Sequence, residues 1–256
     1  MSLLKLQWSS QVLGKQTQAQ IIFPDTGKPP FPVLYLLHGL SDDSTMWTRQ
    51  TRLETHAAGF PMVIVMPDGY RGFYTDGEEG PAYARHIGEE LPSVIERMFR
   101  VRAERGGRAI GGLSMGGYGA LRVGLGYSDR FCSIHSHSGA LDAGITVARY
   151  ADANPDAYGP DVLAEMKLIF GTPKPGSSHD IVALAKKARR RLPKILIDCG
   201  KDDFLLQASR DFVKNLRAAK IPHTYVEHPG SHTWEYWDSH IREALLFHAK
   251  NLKAAK

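Results

Sequence analysis

The 256-residue chain is poor in cysteine, in long apolar runs and in charge of one sign. Its two cysteines, Cys132 and Cys199, each lie in an apolar, strand-like run, where a thiol reads as a small buried hydrophobe rather than half of a bridge. Neither has a second cysteine or a histidine at ligand spacing, so no metal site is expected from them. No apolar run approaches the ~20 residues that a membrane span needs. The first residues, MSLLKLQWSSQ, do not pair a basic end with an apolar core and a cleavage site, which points to a cytoplasmic protein.

Charge is balanced as well. There are 32 basic against 27 acidic residues, a net charge of +5, and the basic ones are scattered. The one basic run, Lys186-Lys187-Ala188-Arg189-Arg190-Arg191, reads as a solvated helix end, because a nucleic-acid or membrane surface needs a broader basic face. Neither partner is expected. Repeats and low-complexity tracts are lacking too. With 43% hydrophobic and 23% charged residues, the chain can bury a substantial core as a single domain over residues 1–256.

What is present is an alternation of short apolar runs with longer helix-like segments. Strand-like runs lie at residues 3–8, 19–23, 33–37, 62–66, 108–113, 131–135, 194–199 and 223–227. Helical candidates fall at 48–58, 84–100, 115–126, 160–170, 206–219 and 234–252. Continuous apolar strands separated by helices predict a mostly parallel sheet of about eight strands, covered on both faces. The stretch 141–191, rich in Ala, Pro, Gly and charge, is too long for a plain connection and predicts an insertion of short helices.

Glycine is concentrated in AIGGLSMGGYGAL, residues 109–121. This stretch lacks the Gly-x-Gly-x-x-Gly spacing of a dinucleotide loop, and no Lys-Ser or Lys-Thr follows its last glycine as a phosphate loop requires. It does contain Gly112-Leu113-Ser114-Met115-Gly116 where a strand passes into a helix. In a Gly-x-Ser-x-Gly turn the serine is held in a strained conformation, and the residues two places either side must be small. The helix behind it offers its positive end and the N–H of Met115 to an oxyanion.

A serine hydroxyl is a weak nucleophile, so a base and an acid must be found downstream. The run KILIDCG leads into Gly200-Lys201-Asp202-Asp203-Phe204, and the next strand ends in EHPGSHTWEYW. Of eleven histidines, His232 sits in a loop between a strand and an amphipathic helix and is the expected base. His228, at the strand end, suits a structural role better. Asp202 and Asp203 both qualify as the acid, whereas Asp198 lies within the strand. His135 and His137 alternate along a strand as two metal ligands could, but no third ligand accompanies them. In LLHGLSDDSTMW, Gly39 after a buried strand lets the backbone approach a ligand, and the Leu40 N–H can face the same point as that of Met115. His38 reads as a structural hydrogen-bonding residue.

HGLSDDSTMW, MPDGYRGFYTD, GGLSMGGYGAL, CGKDDFLL and GSHTWEYWDSHI, in this order over residues 31–247, resemble one branch of the α/β-hydrolases. That branch holds esterase D (S-formylglutathione hydrolase), small tributyrin esterases, feruloyl and acetylxylan esterases and the mycolyltransferases. The resemblance implies an α/β-hydrolase fold with a catalytic triad of Ser114, Asp203 and His232, and an oxyanion hole of Leu40 and Met115. It implies that Gly39, Trp234 and Tyr74 contact substrate, with Asp76 beside the acyl group, and that no cofactor is used. The implied activity is a serine carboxylesterase of small short-chain acyl esters. S-formylglutathione hydrolysis and carbohydrate ester hydrolysis are the alternatives, followed by acyl transfer and a non-catalytic binding protein. A homo-oligomer is compatible with all of these.

Overall fold

The computed structural model describes residues 1–146 and 162–254. Eight strands, β1 (Ser2–Ser10), β2 (Lys15–Phe23), β3 (Val33–Leu37), β4 (Val63–Pro67), β5 (Arg108–Leu113), β6 (Ser133–His137), β7 (Lys194–Gly200) and β8 (Thr224–His228), form one sheet. Their order is β1-β2-β4-β3-β5-β6-β7-β8. β1 pairs with β2 and β2 with β4 antiparallel, and every other neighbouring pair is parallel. This is the mostly parallel sheet expected of an α/β-hydrolase.

Among the described residues the helices are α1 (Met46–Gln50), α2 (Leu53–Ala57), α3 (Tyr83–Arg85), α4 (Leu91–Met98), α5 (Met115–Gly126), α6 (Val162–Phe170), α7 (Ile181–Lys187), α8 (Leu206–Ala218) and α9 (Trp234–Asn251). None is long and apolar enough to cross a membrane. Alternate side chains of β3 divide the core. Tyr35 and Leu37 join Ile110, Leu121 and Leu91 on one face, while Leu34 and Leu36 join Trp47, Ile241 and Leu245 on the other. Strands buried on both faces leave their carboxyl-end loops as the place where polar chemistry can collect.

Several elements differ from expectation; β1 spans Ser2–Ser10 and β2 begins at Lys15, both longer than the apolar runs at 3–8 and 19–23. The helix expected over 48–58 is two short ones, because Thr51 adopts extended backbone between them. The helix expected over 84–100 contains a π turn, His86–Glu90. Pro92 has no N–H to give to the carbonyl four residues back, and that carbonyl, of Gly88, accepts instead from Arg130 Nη1 at 3.3 Å. β6 is displaced by two residues from the expected 131–135, starting at Ser133 and taking in Ser136 and His137, which are polar yet fully buried. Of the expected 141–191 insertion, α6, α7 and the turn Ala188–Arg191 are short helices, while 147–161 lies outside the described residues, as does the start of the helix expected at 160–170.

Candidate active site

Ser114 stands between β5 and α5 with φ 52° and ψ −117°, in the left-handed half of backbone space. A serine pays strain there, of order 1–3 kcal/mol, and needs surroundings that fix it. Its N–H donates to His137 O at 2.9 Å, and its carbonyl accepts from Tyr118 and Ala140 N–H, both at 3.1 Å. The glycines two places away are required by close approach. A Cβ on Gly112 would lie 2.6 Å from Gly116 O and 2.8 Å from Leu37 O, and one on Gly116 would lie 2.6 Å from both His38 O and Leu37 O.

Two further loops meet this turn. From the end of β8, His232 places Nε2 3.1 Å from Ser114 Oγ. Its other nitrogen, Nδ1, lies 2.9 Å and 3.1 Å from the two carboxylate oxygens of Asp203, in the loop after β7. With a carboxylate on Nδ1, the ring proton belongs there and Nε2 faces the hydroxyl as an acceptor. The two loops are tied together: Asp202 N–H donates to Gly230 O at 2.9 Å, and Gly200 packs so closely against Gly230 O that a Cβ would come within 2.3 Å.

Asp203 is buried and Asp202 exposed. Burial alone would raise the Asp203 carboxyl, but the hydrogen bond and charge of His232 and the Leu205 N–H, 2.8 Å away, outweigh it and hold the group below the usual carboxylate range. The acid therefore stays ionised beside the imidazole.

The cleft around Ser114 and His232 is lined by Gly39, Leu40, Asp42, Leu113, Phe204, Thr233, Trp234 and Trp237, with Ser114 itself only 8% exposed. A Cβ on Gly39 would lie 2.8 Å from Leu113 Cδ1 and 3.8 Å from Ser114 Cβ, which measures how near this backbone runs to the serine. Leu40 follows it in the cleft wall. Met115 is the first residue of α5, so its N–H has no intrahelical acceptor. Trp234 lines the cleft and also packs edge-on against Trp47 and Trp237, with centroids 5.6 and 5.1 Å away.

Tyr74 is placed differently from the substrate contact expected of it. It is fully buried outside the cleft lining, its hydroxyl accepting from His38 N–H at 3.0 Å and donating to His38 O at 3.2 Å. It supports the strand end before Gly39. Asp76 is likewise occupied away from the cleft, accepting from Arg85 N–H at 3.0 Å. His38 is buried; Nε2 accepts from Gly69 N–H at 2.9 Å, so Nδ1 carries the proton and donates to Gly39 O at 2.8 Å.

Phe204, Thr233, Trp237 and Asp42 line the cleft without being singled out by the sequence. Asp42 Oδ2 accepts from Gly39 N–H at 3.1 Å, bracing the turn that carries Leu40. Burial pushes its carboxyl above the ordinary value, against the lowering effect of His38 and the Gly39 N–H. The signal for Asp42 is an aspartate three residues after the glycine, a spacing at which the side chain can reach back to the backbone N–H.

The family model described as "Putative esterase" matches residues 10–248. An acetyl esterase of Caldicellulosiruptor saccharolyticus is 32% identical over 268 residues, covering 98% of this chain and 99% of that one. Among solved structures, the substrate-bound fluorophosphonate-binding serine hydrolase F of Staphylococcus aureus is similar with a TM-score of 0.85 at 28% identity, covering 96% of this chain and 98% of that one. The S-formylglutathione hydrolase of the same organism has a TM-score of 0.83 at 29% identity, with the same coverage.

Proposed function

Since the chain belongs to the "Putative esterase" family and is an ester-hydrolysing enzyme, we propose that Ser114 is its nucleophile, His232 the general base and Asp203 the orienting acid. The observation that carries this reading is the position of His232, with one ring nitrogen 3.1 Å from Ser114 Oγ and the other 2.9 Å from Asp203. His232 Nε2 takes the hydroxyl proton as Oγ attacks the ester carbonyl, and the imidazolium that forms is stabilised by the ionised Asp203. The N–H groups of Leu40 and Met115 receive the oxyanion. The intermediate collapses to an acyl-serine when the imidazolium returns its proton to the departing alcohol. Water then attacks the acyl group with His232 again as base, freeing the acid and Ser114.

The substrate in this proposal is a small ester with a short acyl chain, bound along Gly39, Leu40 and Trp234. In support, the relatives are named for acetyl and formyl groups, and Leu40, Phe204, Trp234 and Trp237 line the cleft that holds the serine. The proposal takes residues 1–256 as one cytoplasmic, cofactor-independent catalytic domain, in keeping with the single continuous sheet. Ser114→Ala is expected to reduce p-nitrophenyl acetate hydrolysis to background and to abolish labelling by a fluorophosphonate probe; hydrolysis persisting in this variant would sink the assignment. The likeness to an S-formylglutathione hydrolase favours a second reading, that the natural ester is a thioester of formate. Comparing kcat/KM for S-formylglutathione with that for p-nitrophenyl acetate separates the two.

A further inference from the structure

Outside the cleft, three potential ligands meet where β8 joins α9. The rings of His228, the last residue of β8, and His240, on α9, are stacked with centroids 3.9 Å apart and planes 16° from parallel. Glu243, one helical turn beyond His240, reaches both: Oε2 is 3.3 Å from His228 Nε2 and Oε1 is 3.7 Å from His240 Nδ1. The three ligand atoms all lie within 4.8 Å of one another. Each of these two nitrogens is shielded from solvent and makes no hydrogen bond.

A positive centre fits this arrangement. A neutral imidazole offers an N–H at one nitrogen and a lone pair at the other, and neither His228 Nε2 nor His240 Nδ1 meets Glu243 in hydrogen-bond geometry. A cation shared among the three groups satisfies all of them at once. Asp198, whose field also reaches His240, adds negative charge nearby. Two imidazoles and one carboxylate suit a first-row divalent transition ion, with remaining positions left to water, and are a poor set for Mg2+ or Ca2+, which prefer oxygen. Glu243 is 57% exposed, so the ion has a path in from solvent.

We propose that His228, His240 and Glu243 form a binding site for a divalent transition metal, with Zn2+ the best match. The site joins the end of β8 to α9, the two ends of the loop that carries His232. Its role is a clamp on that loop, separate from the ester chemistry, and it stands whether or not the triad assignment holds.

The test uses full-length, tag-free protein stripped by chelator and titrated with ZnCl2 by calorimetry, with CoCl2 as a spectroscopic probe. One equivalent of Zn2+ should bind, the melting temperature should rise with Zn2+ concentration as expected for binding to the folded state, and Co2+ should give visible d–d absorption. Glu243→Gln and His240→Asn should each weaken Zn2+ binding by at least the roughly 10–100-fold that loss of an outer-shell partner costs. Metal-free hydrolysis by Glu243→Gln should match the wild type, which certifies its fold. No saturable Zn2+ binding by the wild type, or binding undiminished in both variants, overturns the site.

Discussion

Asp202 and Asp203 are adjacent, chemically identical and opposite in environment. The first is exposed with its N–H tied to Gly230; the second is buried against His232. Asp203→Asn keeps the shape but takes away the charge that fixes the imidazole tautomer, so kcat should fall on the order of 10⁴-fold, as it does when a triad acid is so changed. Asp202→Asn should leave kcat within about twofold, because an exposed carboxylate at this distance is screened by solvent. Steady-state kinetics on the two variants checks both. From the residues alone both aspartates qualified, since the turn after Gly200 decides which one points inward and a turn's direction is not written in hydropathy. The preference for His232 over His228 rested on position in a loop, which is legible. Tyr74 was misread because an aromatic in a loop motif looks like a pocket wall, while its hydroxyl is taken up by both backbone groups of His38.

At the scale of elements, β5 and α5 were read with the bounds they have, because an apolar run and a helix meet at a serine that only a sharp turn accommodates. The same junction is unforgiving of added volume. In Gly116→Ala the new methyl would meet two backbone carbonyls, which cannot swing aside as a side chain can. Overpacking of this kind costs about 1–3 kcal/mol, and here it would also separate α5 from β3. The variant should melt at lower temperature and lose most hydrolysis, measurable by thermal denaturation and p-nitrophenyl acetate turnover. Elements misjudged in the sequence had local causes: Pro92 lies behind the π turn, and β6 was placed two residues early because the apolar pair Phe131 and Cys132 precedes the polar but buried Ser136 and His137. The ligand set of His228, His240 and Glu243 was missed for a related reason, since it joins a strand end to a helix face across a loop.

For the whole molecule, the layout of one mostly parallel sheet with a site at its carboxyl ends was readable from the alternation of strands and helices. What could not be read was the polar core beneath the site. Ser133 Oγ, His248 Nδ1, His248 Nε2 and His135 Nδ1 form a buried chain with steps of 2.8 and 2.7 Å. Burial, then the charges of His137 and His248, depress the His135 pKa well below its ordinary value, and burial, then His137, brings His248 down to about 3. The unfolded chain takes up protons on these rings below about pH 6.5, whereas the folded chain resists until much lower pH. Their stabilising contribution is therefore complete above about pH 6.5 and is lost progressively as the pH falls toward the folded values. The melting temperature should drop between about pH 7 and pH 5, before most carboxylates titrate, and His248→Gln should flatten that dependence.

The backbone at Ser114 carries a conformational cost that glycine would avoid. Glycine would occupy the same φ and ψ without the penalty, so the position is held by its chemistry against the preference of the fold. Any programme of directed evolution that rewards thermal endurance alone would therefore drift toward an inert protein, and must be coupled to a turnover readout at every round.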